Sequence, residues 1–122
     1  MGSLNKVSLI GYLGTDAKMN TTASGQAVAN FTMATNEYWV NKEGTKEQRT
    51  EWHKVVLWGK HADTLGQYLK KGRQVYVEGR LQTNTWENDN KSYRTAEVVA
   101  QTVRFLDSHG KKEEQEAEAK AA

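Results

Sequence analysis

The chain has 122 residues and a formal net charge of +2, with neither cysteine nor proline. That length fits one domain plus a short extra segment, large enough to bury a core without a disulfide or metal staple. The missing cysteine excludes thiolate zinc sites and cysteine nucleophiles, and no apolar run nears the ~20 residues that span a bilayer, so no membrane role is expected.

Lys6-Val7-Ser8-Leu9-Ile10-Gly11-Tyr12-Leu13 is apolar and β-prone, and stops at Gly14-Thr15-Asp16. A turn-like stretch over 20–25 leads into a second strand over 27–39, where Val28, Phe31, Thr32, Met33 and Thr35 suit a pleated surface. Residues 41–48 are polar around Gly44 and read as a mobile hairpin connection. The third strand, 51–59, places Trp52, Lys54, Val56 and Trp58 on one parity and His53, Val55 and Leu57 on the other. Side chains alternate across a strand, so the aliphatic parity faces a core and the Trp-Lys-Trp parity faces out.

Over 60–71 the period becomes helical: Ala62, Leu65, Tyr68 and Leu69 share a stripe, and Gly72 stands where a helix ends. Two more strands, 74–83 and 93–106, flank a polar connection over 84–91 that holds Trp86. On the first of them Tyr76, Glu78, Arg80, Gln82 and Asn84 share a parity running on to Trp86, while Val75, Val77 and Leu81 take the core-like one. Three strands, a helix and two strands is the element order of an all-β OB-fold, a five-stranded Greek-key barrel. The folded domain is expected over 1–106, with 14 Lys and Arg against 10 Asp and Glu. The remainder, 107–122, is an acidic, alanine-rich tail expected to lack fixed structure.

Four tryptophans, Trp39, Trp52, Trp58 and Trp86, are the chemistry-bearing feature. One tryptophan in a sheet is more often core than ligand platform. Two alternating with a lysine on an outward face point instead to stacking on exposed bases, a contact indifferent to sequence. Lys54, Lys60, Lys71 and Arg80 are candidates for the phosphates. His53, His61 and His109 have no metal-ligand spacing, and Asp63 and Glu51 form no evident carboxylate pair, so neither metal, cofactor nor catalysis is expected. A nuclease is the enzymatic alternative and fails for want of such a cluster.

Thr50-Glu51-Trp52-His53-Lys54-Val55-Val56, Tyr68-Leu69-Lys70-Lys71-Gly72 and Gln74-Val75-Tyr76-Val77-Glu78-Gly79-Arg80-Leu81, with Gly25-Gln26-Ala27-Val28-Ala29-Asn30-Phe31, closely resemble bacterial-type single-stranded DNA-binding proteins. The likeness runs from about Leu4 to Leu106. It implies a cytoplasmic, nucleoid-associated homotetramer that wraps single-stranded DNA during replication, recombination and repair. Trp39, Trp52 and Trp86 fall on the family's stacking positions, Trp58 replaces a usual phenylalanine, and Lys54 and Lys60 match basic positions. The resemblance puts His53 and Leu81 at a subunit interface, with pairing through Asn5, Val7 and Leu9 and a second contact near Gln74 and Tyr76. Family members usually end in an acidic tip that recruits replication and repair enzymes. This chain stops at Lys120-Ala121-Ala122 without one: either it is a truncated piece, or it is a natural short form whose partners are fewer. A dimeric primosome-type accessory protein is the rival on the same barrel, and the four tryptophans argue against it.

Overall fold

The computed structural model describes residues 2–107. Six strands make one sheet: β1 (Val7–Leu13), β2 (Lys18–Thr21), β3 (Ala27–Val40), β4 (Lys46–Trp58), β5 (Gln74–Asn88) and β6 (Lys91–Phe105). Helix α1 (Lys60–Leu65) and a 3-10 turn (Gly66–Tyr68) lie between β4 and β5. The sheet order β1-β5-β6-β4-β3-β2, with β1 also pairing to β3, closes the five long strands into a barrel. Closure rests on two short seams: β4 runs parallel to β6 from Val55↔Val98 to Leu57↔Ala100, and β1 meets β3 at Tyr12↔Ala34 and Leu13↔Met33. The OB-fold expectation holds.

Inward parity fills the barrel. Phe31, Met33, Val55, Leu57, Val75, Val77, Val98 and Val103 are buried together, and Ala62, Leu65 and Leu69 cover them from the helical segment. Two glycines on this inward parity let the strands approach. A Cβ on Gly11 would stand 2.1 Å from the Ala34 carbonyl oxygen, and one on Gly79 2.1 Å from that of Val99. Gly79 also sits at a register shift, where Glu78 faces Thr102 but Gly79 faces Ala100. The extra residue, Gln101, reverses the parity of β6 and bends the ladder around the barrel.

Several elements differ from the sequence expectations. The helix is shorter than 60–71 because the chain after Tyr68 bonds outward: the Leu69 carbonyl accepts from Ala17 N–H at 2.8 Å, and Lys71 N–H donates to Asp16 at 2.8 Å. Gly72, at φ +90°, therefore serves a turn, with its N–H on the Leu13 carbonyl, rather than a helix end. β2 adds a sixth strand on the flank of β3, from Lys18↔Asn30 to Thr21↔Ala27. The polar stretch 84–91 is mostly ladder rather than loop, since β5 continues to Asn88 and β6 begins at Lys91, whereas 41–45 is the hairpin connection expected and only 46–48 belong to β4. No packed core backs these two arms, and Asp89 and Asn90, at φ 52° and 64°, supply the positive angles of a tight hairpin turn in the second.

Leu81 keeps the core parity of Val75 and Val77 but is 45% exposed, because β5 has left the barrel by that point. Val56 does the reverse: it lies on the outward parity of β4 but is buried, flanked by β3 and β6 at Asn30 and Val99. At the other end of β5, the buried Arg73 lies 4.4 Å over the Phe105 ring and pairs with Asp107 at 2.6 Å, fastening the last described residues to the barrel. The rest of the segment assigned to a tail, 108–122, lies outside the described residues.

The glycine contacts give the first prediction. Gly79→Ala forces a Cβ against a backbone oxygen that has no side-chain freedom to yield, and should cost about 2 kcal/mol. For a domain of this size that lowers the thermal midpoint by roughly 8–16 °C. Gly2→Ala, with nothing near its added Cβ, should leave the midpoint unchanged in the same calorimetric scan.

Candidate nucleic-acid interface

β4 carries the centre of the site. Directly opposite residues in a ladder share a face, so Trp58 stands with Val28, Val56 with Asn30, Lys54 with Thr32, and Trp52 with Ala34. All four β4 residues point to the barrel exterior. Trp52 is 61% and Trp58 42% exposed, with Lys54 exposed between them. The Trp52 indole lies across Gly14, where an added Cβ would come within 2.3 Å of ring atom Cζ3. The glycine at the end of β1 thus seats this indole. It also brings the row toward Lys71, whose backbone N–H is held by Asp16, two residues beyond Gly14.

The face continues laterally. Val56 pairs with Val99, and Val99 with Arg80, so Asn30, Val56, Val99 and Arg80 form one row across β3, β4, β6 and β5. Adjacent strands lie about 4.8 Å apart, which puts Arg80 roughly 10 Å from the β4 row. From Arg80 a chain of side-chain hydrogen bonds follows the hairpin: Arg80 to Gln82 at 3.0 Å, Gln82 to Asn84 at 3.2 Å, and Asn84 to Glu97 at 2.9 Å. These links hold the outward parity of β5 in order as far as Asn84, two residues before Trp86. Three of the four tryptophans therefore share one exterior face with Lys54 and Arg80. Lys60, the exposed first residue of α1, follows Trp58 by two positions.

Trp39 stands apart. It belongs to the parity of Phe31 and Met33, in the arm beyond the barrel, and faces Glu47 across the ladder, with the Glu37↔Arg49 and Thr35↔Glu51 pairs next along it. Arg49 and Glu51 form an ion pair at 3.2 Å. This indole is 45% exposed, but its neighbours are largely carboxylates rather than lysines.

Where the two arms splay from the barrel, Glu51, Trp52, His53 and Lys54 of β4 face Leu81, Ala96, Glu97 and Val98 across a cleft. His53 Nε2 is 2.8 Å from the Thr35 hydroxyl, on the inward side of the strand. Asn5 spends both amide atoms on the Leu81 backbone, donating to its carbonyl at 2.8 Å and accepting from its N–H at 2.9 Å. Val7 and Leu9 point into the barrel, packed on the core. Outward on β1 stand Ile10 and Tyr12, 57% and 49% exposed, opposite Tyr76 and Gln74 of β5. The Tyr76 hydroxyl donates to Glu78, and this bond, with Lys6 at 3.4 Å, holds the Glu78 carboxyl below its ordinary value against partial desolvation. A lowered carboxyl stabilises the fold at neutral pH, and that contribution fades as pH falls through its folded value.

One further ring belongs to this face, and the sequence gives no role to it. Tyr93 is directly opposite Trp86 and stacks on it, with centroids 5.4 Å apart and ring planes 18° from parallel. Arg94, opposite Thr85 on the other side of the ribbon, lines a cleft there with Thr85, Glu87 and Ser92 at the edge of Trp86. Tyr93 falls in the strand expected over 93–106, but its partner Trp86 falls in the stretch read as a connection, so their pairing is not legible. Among the described residues no group of three or more His, Cys, Asp or Glu could hold a metal ion, and no helix is long and apolar enough to cross a membrane.

Known proteins are similar to this chain in sequence and fold. The chain is 54% identical over 106 residues to single-stranded DNA-binding protein 1 of Chlorobaculum tepidum, a match covering 84% of this chain and 65% of that one. It thus spans about two thirds of that relative's length. The structure superposes on a Plasmodium falciparum single-strand binding protein solved in complex with single-stranded DNA, with TM-score 0.82, 34% identity, and 88% of this chain and 98% of that one covered. A deletion variant of the Thermus aquaticus single-stranded DNA-binding protein aligns with TM-score 0.78 and 32% identity, over 88% of this chain and 52% of that one. Residues 4–106, the whole barrel, match the single-strand binding protein family, and the chain belongs to it.

Proposed function

We propose that this chain binds single-stranded DNA with little sequence preference and without catalysis, shielding it during replication, recombination and repair. The observation that carries this is the exterior face on which Trp52, Trp58 and Trp86 stand with Lys54 and Arg80. Stacked bases need flat exposed rings, and phosphates need cations within a few ångströms of the same path. This face supplies both. Lys60 and Lys71 extend the cationic path at its two ends. Trp39 joins from the other side of the β3–β4 arm, where a strand passing over the arm would meet it.

The same reading includes assembly into a homotetramer. β1 pairs with β5 along its length but with β3 only at Tyr12 and Leu13, so its earlier backbone groups lack a strand partner on that side among the described residues. An open edge of this kind is a template for a second copy. The exposed Ile10 and Tyr12, beside Gln74 and Tyr76, give a further contact that the isolated chain leaves wet. Val7 and Leu9 would support that edge from within the barrel, and the exposed Asn5, tied to the Leu81 backbone, would lie at the interface itself. His53 and Leu81, at the splay of the arms, belong to the same interface in this reading.

Titration with dT oligomers should quench tryptophan emission at low salt, and the affinity should fall as salt rises. No quenching at low salt would overturn the proposal. Trp52→Ala should weaken binding by about 1–3 kcal/mol at every salt concentration, the cost of one lost stacking surface. Lys54→Ala should instead lower the salt slope by about 1 and leave most of the quenching intact. Sedimentation equilibrium should give four copies, and a single-copy mass at micromolar concentration would count against the assembly.

A further inference from the structure

We propose that Tyr93 is itself a base-stacking residue: with Trp86 it forms a two-ring platform whose two outward ring faces each take a base. The inference rests on the single-stranded DNA reading and adds a residue to it. The two rings share a partner position in the β5–β6 ladder and stack at 5.4 Å with 18° between planes, so each covers one face of the other and leaves one face free. A core role does not explain the pair. Trp86 is 47% and Tyr93 39% exposed, and none of the residues 80–97 is buried. Two large aromatics kept half in water at the end of a polar hairpin are costly unless something covers them.

Position says which ring meets the strand first. β6 lies between β5 and β4 in the sheet, so Tyr93 stands on the side of the hairpin nearer to Trp52 and Lys54. A strand leaving the β4 row for the hairpin reaches the tyrosine before the tryptophan. The stack also restrains the Trp86 indole, so its free face is presented with less side-chain entropy to lose on binding.

The test separates ring chemistry from hairpin support. Tyr93→Leu keeps an apolar cover on Trp86 but removes the π-face; Tyr93→Phe keeps the ring. Binding of dT oligomers should weaken about tenfold for Tyr93→Leu and stay within about twofold for Tyr93→Phe. In the unaltered chain, ultraviolet cross-linking to oligomers carrying 5-iodouracil, read by peptide mass spectrometry, should place adducts on Tyr93 as well as Trp86. This arm does not depend on how a variant folds. Unchanged affinity of Tyr93→Leu, or adducts on Trp86 with none on Tyr93, overturns the inference while wild-type quenching leaves the DNA reading standing. Absence of quenching in the wild type overturns both.

Discussion

Everything functional in this protein depends on a parity rule enforced by barrel closure. Five strands enclose so little space that the inward parity must be filled by Val, Leu, Met and Phe, and at two crossings even a Cβ is too much, as Gly11 and Gly79 show. Once the inside is committed, the outward parity of each strand is released from packing. Trp52, Lys54 and Trp58 are outward because Val55 and Leu57 are inward. The bulge at Gln101 then reverses β6 so that Val98 and Ala100 remain core on one side of it and Val103 on the other. Val99 is left outward, linking the β4 row to Arg80.

Outside the barrel the rule loosens, and the two arms show what replaces it. Beyond Val55 on β4 and Val98 on β6 the strands no longer pair with each other, and each hairpin continues as a two-stranded ribbon. Two-stranded ribbons have marginal stability in water. These are reinforced by side-chain links such as Asn84 with Glu97 and Thr50 with Asn36, the latter at 2.7 Å. The Trp86–Tyr93 stack belongs to the same set of supports, worth about 0.5–1.5 kcal/mol for an aromatic pair. The arms are thus held well enough to present rings, yet free of any packed layer that would hide them.

The contrast between barrel and arms explains what could be read from residues alone. The alternation in 51–59 was legible because a core stands behind it, and so were the OB-fold order and the outward Trp52-Lys54-Trp58 row. The β5–β6 arm is not: 84–91 has no buried parity, so its strand character leaves no trace in hydropathy, whereas 41–48 reads rightly as a connection and only the start of β4 at Lys46 is missed. Tyr93 falls in the strand read over 93–106, but its stacking partner Trp86 reads as part of a connection, so the pair is not legible. β2 is exposed along its whole length and fails for the same reason as 84–91. The helix over 60–71 was overextended because Ala62, Leu65 and Leu69 satisfy one stripe whether the chain is helical or turns to meet Ala17 and Asp16. Leu81 misled in the opposite sense: its parity was right, but parity guarantees burial only inside the barrel.

Charge follows the same geography. The barrel exterior has lysines and arginines spaced singly among rings, whereas on the inward side of the β3–β4 arm Trp39 faces Glu47, and the one cation next along, Arg49, is opposite Glu37 and paired to Glu51. In the proposed reading a phosphate chain follows the Trp52–Lys54–Trp58 face rather than the Trp39 face, and Trp39 would stack a base that projects over the arm while its phosphates stay on the basic side. With few cations on that path and rings along its length, attraction to the backbone would orient the strand and the stacked bases would hold it. That order of forces suits a protein that must accept any sequence: phosphates and ring faces are common to all nucleotides, and no hydrogen-bonding base edge is needed to tell them apart.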